Sequence, residues 1–145
     1  MLRIAICDDD KIILRILTDK IQKYNFSDSS SLEIEPFLSG QDFLNSQKKF
    51  PYDVVFLDID MPEKSGFDIA EQINNSSGTL IVFVTLYDEL VYSSIKFRPF
   101  RFIRKSYLEA ELNEVLSSVN AEFLKRNSAR KFAFQTQVGE VFVDL

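Results

Sequence analysis

The sequence predicts an α/β fold in which a parallel sheet carries helices on both faces, and three observations lead there. Short apolar runs alternate with amphipathic stretches along the chain, the order that repeated βαβ units produce. Two of the runs, DVVFLD and TLIVFVT, are nearly continuous in apolar residues, as strands covered on both faces are. The runs also end in a set of polar groups: Asp8 and Asp9, Asp58, Thr85 and Lys105. In open sheets of this kind ligands bind beyond the carboxyl ends of the strands.

Each element follows in order. Leu2 to Cys7 (LRIAIC) is the first strand. Ile13, Ile16, Leu17, Ile21 and Tyr24 then recur at helical spacing. SLEIEPFLS alternates with period two, and Pro36 inside it places that strand at an edge, where a missing N–H is tolerated. Ser39 and Asp42 give a capping-box start to a short helix, GQDFLNSQKK. DVVFLD is the third strand, and Phe67 to Asn74 the third helix, closed by NNSSG. TLIVFVT, YDELVYSSI and FRFIRK supply the fourth strand, the fourth helix and the fifth strand. Ser106 and Glu109 read as a capping box opening the longest helix, whose stripe is Leu108, Leu112, Val115, Leu116, Val119 and Phe123. After it, RKFAFQTQVGEVFVDL shows two alternating runs around Gly139, the pattern of a β-hairpin.

Composition bounds the function. The chain has 145 residues, enough for one domain with a sizeable core. It contains no histidine. That excludes Ser-His-Asp and Cys-His catalysis, His-based metal sites and a role as phosphohistidine donor. One cysteine, Cys7, excludes an internal disulfide framework and suits a reducing cytosol. The opening MLRIAICDDD is not a signal peptide, because its apolar run is short and ends in acids. No stretch approaches the run of about 18 apolar residues that a membrane span needs. A net charge of −5 argues against a nucleic-acid surface on this chain as a whole.

The rim residues point to phosphoryl chemistry. Clustered carboxylates repel one another and are costly to desolvate unless a cation joins them. All-oxygen ligation favours Mg²⁺, which takes one or two carboxylates plus phosphate oxygens. Lys105 offers a point charge for a phosphoryl group, Thr85 a hydroxyl donor, and a carboxylate can itself be the nucleophile. Blander readings stand beside each. Asp8, Asp9 and Asp10 are also what the start of a helix favours, and that suffices for Asp10. Thr85 alone is an ordinary strand residue, Lys105 alone a surface lysine, Phe102 equally a core aromatic, and Cys7 a small buried apolar residue.

AICDDD, FLDIDMPEKSG, VFVTL and FRFIRKS, in this order and spacing, resemble the receiver domain of two-component response regulators over residues 1–126. The resemblance implies a flavodoxin-like (βα)5 fold with strand order 2-1-3-4-5. It implies that Asp58 accepts a phosphoryl group from a sensor histidine kinase. Asp8, Asp9 and Asp58 would hold Mg²⁺, with the main-chain carbonyl of Asp60 as a further ligand. Lys105 would contact the phosphoryl oxygens. Thr85 and Phe102 would move as a switch, altering the face of the fourth helix, fifth strand and fifth helix that governs homodimerisation or effector contact. The domain would be a cytoplasmic signalling switch that catalyses its own phosphorylation and dephosphorylation, and not a conventional enzyme. DIDMP, RKS and the tail look like the LytTR-type DNA-binding regulators, so that residues 127–145 would be a linker and the first strands of a DNA-binding domain. DNA would then be reached only through that domain.

Three residues depart from the family pattern. Leu86 stands where a small residue usually follows the threonine, and Ser106 where a cis-proline usually follows the lysine. A non-proline cis bond costs about 3–4 kcal/mol, so the Lys105–Ser106 bond is expected to be trans. Asp60 either adds to metal binding or alters how water attacks an aspartyl-phosphate. Two other functions stay open. A phosphohydrolase of the haloacid-dehalogenase type would use Asp58 as nucleophile and Asp60 as acid/base, but it needs an acidic pair after the lysine, where this chain has only scattered acids. A receiver-like interaction domain working without phosphorylation is the third reading, kept alive by Leu86.

Overall fold

A computed structural model describes residues 1–27, 31–73 and 78–138, with side chains through 133. The elements are β1 (Leu2–Cys7), α1 (Lys11–Lys23), β2 (Leu32–Phe37), α2 (Gly40–Lys49), β3 (Val54–Asp58), α3 (Gly66–Ile73), β4 (Leu80–Thr85), α4 (Asp88–Ser94), β5 (Arg101–Arg104) and α5 (Leu108–Val138). Short 3-10 turns follow α4 (Ile95–Phe97) and β5 (Lys105–Tyr107). All strand pairs are parallel and the sheet order is β2-β1-β3-β4-β5, as expected.

Alternate residues of each central strand feed two separate cores, which is why these strands are apolar without a break. Ile4, Ile6, Val54, Phe56, Val82 and Val84 join the stripes of α1 and α5. Ala5, Cys7, Val55, Leu57, Ile81 and Phe83 face α2 and α3. Pro36 lies on an edge strand, as predicted. The carbonyls of Ser31 and Phe37, an even number of residues apart, both point toward β1, accepting from Leu2 and from Asp8 just beyond its end. The intervening proline nitrogen therefore faces the outer side, where no ladder bond is lost.

Local caps set where helices begin. Ser39 Oγ accepts the Asp42 N–H at 3.2 Å, as expected for α2. Ser65 and Asp68 form a reciprocal capping box on α3, each side chain accepting the other's N–H. The capping box expected at Ser106 and Glu109 is replaced. Ser106 lies within the 3-10 turn, which has no side-chain cap bond, and Glu109 is drawn to Lys20 of α1 at 3.4 Å. Glu111 caps instead, accepting the Arg104 N–H.

The expected hairpin is corrected in its first half. The run leading to Gly139 continues α5 as helix through Val138. An isolated two-stranded hairpin is marginal in water, whereas each residue added to an existing helix gains an i→i−4 bond. Gly139 and the second run lie outside the described residues.

Candidate functional site

Strand order reverses between β1 and β3, whose neighbours β2 and β4 lie on opposite sides. The register pairs Cys7 with Leu57, so the next residues, Asp8 and Asp58, emerge at one level on either side of that reversal, where a crevice forms. Both are buried, at 1% and 3% exposure. Asp9 is exposed beside them. Carboxylate oxygens of Asp8, Asp9 and Asp58 all lie within 4.8 Å of one another.

Lys105 enters from the turn after β5. Its ammonium sits 2.9 Å from Asp8 Oδ2 and 3.4 Å from Asp58 Oδ1, with 8% of its side chain exposed. The Lys105–Ser106 bond is trans, as expected. Asp8 Oδ1 accepts the Asp10 N–H at 2.9 Å, and Asp10 caps α1 by accepting from Ile12 at 2.9 Å. Thr85, at the end of β4, is fully buried, and its Oγ1 accepts the Tyr87 N–H at 3.0 Å. Leu86 is exposed beside it, and Phe102 on β5 is 40% exposed, facing away from the core. The carboxylate of Asp60 is exposed and outside the carboxylate group. That placement removes the second acid of a phosphohydrolase pair from the crevice.

Charge in the crevice is unbalanced. Three carboxylates face one ammonium, a surplus of two negative charges when all are ionised. Burial and the charge of Asp8 push the Asp58 carboxyl up to about 7, partly offset by Lys105. Burial draws the Lys105 ammonium down, but its hydrogen bond with Asp8 and the charges of Asp58 and Asp8 outweigh that and leave it raised. The donor set is all oxygen, already gathered, and short of two positive charges. These residues fit a hard divalent cation such as Mg²⁺.

One site residue was not apparent from the sequence. A Cβ on Gly66 would stand 2.4 Å from the Asp58 carbonyl oxygen and 2.8 Å from Ile59 Cα. Gly66 also donates its N–H to the Ile59 carbonyl at 2.8 Å. The first turn of α3 therefore rests directly on the backbone that carries Asp58. The only available signal was a glycine eight residues after the aspartate.

The match to known proteins agrees with this geometry. Residues 4–117 match the family model described as the response regulator receiver domain. An uncharacterized response regulatory protein of Yersinia pestis is 28% identical over 136 residues, covering 90% of this chain and 53% of its own length. The sensory transduction protein LytT of Bacillus subtilis is 28% identical over 150 residues, covering 99% and 61%. The chain thus spans about half to three-fifths of the length of these relatives. Among solved structures, the response regulator TrrA of Thermotoga maritima, in complex with Mg²⁺ and BeF, superposes with a TM-score of 0.70. It is 27% identical, covering 82% of this chain and 99% of that one. With the flavodoxin-like strand order and the acidic crevice in place, the chain belongs to the response regulator receiver domain family.

Proposed function

We propose that Asp58 accepts a phosphoryl group from a phosphohistidine on a sensor histidine kinase. The observation that carries this reading is the Lys105 ammonium held between Asp8 and Asp58 at the reversal of strand order. In the transfer, an Asp58 carboxylate oxygen forms the new bond to phosphorus. The N–P bond breaks, and its electron pair stays on the imidazole. Lys105 neutralises a phosphoryl oxygen, and Asp8 holds the lysine in line. Asp8, Asp9 and Asp58, with the main-chain carbonyl of Asp60, would hold Mg²⁺, which when bound supplies the charge neutralisation that phosphoryl transfer requires. The magnesium in the TrrA structure supports that assignment. Hydrolysis of the aspartyl-phosphate by the domain itself resets it.

The switch begins at Thr85. Its hydroxyl is engaged by Tyr87 and Phe102 is exposed, the arrangement expected before phosphorylation. After transfer Thr85 turns to the phosphoryl group and Phe102 moves inward. The face of α4, β5 and α5, where Tyr92, Ile95 and Phe102 are exposed, changes with them and pairs two copies. The signal passes through residues 127–138, as a helical linker, to a LytTR-type DNA-binding domain, and the protein works in the cytoplasm. Among the described residues no helix is long and apolar enough to cross a membrane.

Beryllofluoride with Mg²⁺ mimics the phosphoryl group and tests the reading. Wild type should shift its tyrosine spectrum and its oligomeric state, while Asp58→Ala should not respond. An unresponsive wild type would favour an interaction domain that works without phosphorylation.

A further inference from the structure

Lys105 has no proline behind it to fix its backbone, and the turn it opens has no side-chain cap of its own. Its ammonium is nevertheless set between two carboxylates at 2.9 and 3.4 Å. Something must hold the peptide from which that side chain departs. The preceding residue, Arg104, is the last of β5 and pairs with Thr85 on β4. Its main-chain N–H is donated to Glu111 Oε1 at 2.8 Å. Its guanidinium donates to Glu111 Oε2 from Nε at 2.9 Å and again from Nη2. One carboxylate on the first turn of α5 thus takes three bonds from the residue next to the lysine, bridging over the turn that carries it. The guanidinium also lies over the Tyr107 ring at 4.2 Å and 4.0 Å from Asp88 of α4.

A solvent-accessible ion pair of this kind contributes little to stability. The main-chain bond is different, because it fixes the Ile103–Arg104 peptide and, with the guanidinium bonds, holds residue 104 from both its main chain and its side chain, one residue before Lys105. A displacement of about 1 Å in a reacting group can cost a factor of about 100 in rate. We propose that Glu111 is the positioning residue for Lys105: by clasping the Arg104 peptide and guanidinium it sets where the ammonium stands between Asp8 and Asp58. This rests on the reading of Lys105 as the group that meets the phosphoryl oxygens.

The test is a double-mutant cycle on the rate of Asp58 phosphorylation by acetyl phosphate in Mg²⁺, followed by intact mass. Glu111→Ala should slow the reaction about tenfold in the wild-type background and less than about twofold in the Lys105→Ala background, since positioning matters only when the lysine is present. Glu111→Gln, which keeps an acceptor for the Arg104 N–H and preserves the fold, should recover most of the rate. Equal slowing in both backgrounds, or a Glu111→Ala protein as fast as wild type, would overturn the inference while leaving Lys105 in its role. An unaltered rate in Lys105→Ala would overturn the role of the lysine and this inference together.

Discussion

Asp58 carries a conflict between burial and charge. Its carboxyl is pushed up to about 7 by burial and by Asp8, despite Lys105. Between its ordinary value of 3.8 and about 7 the folded protein therefore binds a proton that the unfolded chain has lost. Stability falls as pH rises through that window and levels off above it. Without divalent cations, Asp58→Asn should be more stable than wild type. The gap should widen from pH about 4 to about 7 and then stay constant, as read by urea unfolding across pH. Gly66 has the opposite constraint. Gly66→Ala should cost about 3 kcal/mol, because the new methyl meets main-chain atoms that cannot turn aside, and a wild-type unfolding midpoint would contradict this. At these positions the sequence was informative wherever a polar residue terminated an apolar run. Asp8, Asp9, Asp58, Thr85 and Lys105 stood out that way. Gly66 and Glu111 did not, because their roles depend on backbone approaches that no spacing reports. Asp60 lay in the motif, yet its exposed side chain leaves it outside the carboxylate group.

Among the elements, α5 divides into a packed and an exposed part. Leu112, Val115, Leu116, Val119 and Phe123 are buried against the sheet. Asn120 exchanges hydrogen bonds with Ser27, and Arg126 donates to the Gly78 carbonyl at 2.9 Å. Residues 128–133 are exposed. Phe123→Ala should therefore cost about 3–5 kcal/mol, whereas Lys131→Ala should change stability by less than about 0.5 kcal/mol. Chemical denaturation distinguishes these, and comparable losses would contradict the boundary. Helical periodicity located α5 because its stripe persists for four turns. The alternation in FAFQTQV was a weaker guide. Period two marks a strand only when a neighbour supplies hydrogen bonds, and a run attached to a helix has the helix itself as partner. Strand continuity was the most informative signal of all, since β3 and β4 are apolar on both faces for the reason that two cores flank them.

For the molecule as a whole, apolar periodicity predicted a parallel sheet but not its order, which came through the resemblance. Pairing depends on contacts distant in sequence, and right-handed crossovers only narrow the choices. That order matters because it creates the crevice. Exposed Tyr92, Ile95 and Phe102 on the α4–β5–α5 face give a further expectation. Tyr92→Glu should abolish the beryllofluoride-dependent increase in mass seen by light scattering, while leaving the beryllofluoride response of the tyrosine spectrum in place. Persistent association would move the interface elsewhere. The whole account turns on Asp58 reacting at phosphorus in a crevice whose surplus charge a cation offsets. Intact mass after incubation with acetyl phosphate, with and without Mg²⁺ and with peptide mapping, decides it. The account predicts a single phosphoryl group on the peptide containing Asp58, dependent on Mg²⁺ and absent from Asp58→Ala. Label on another peptide, or equal labelling without Mg²⁺, would contradict it.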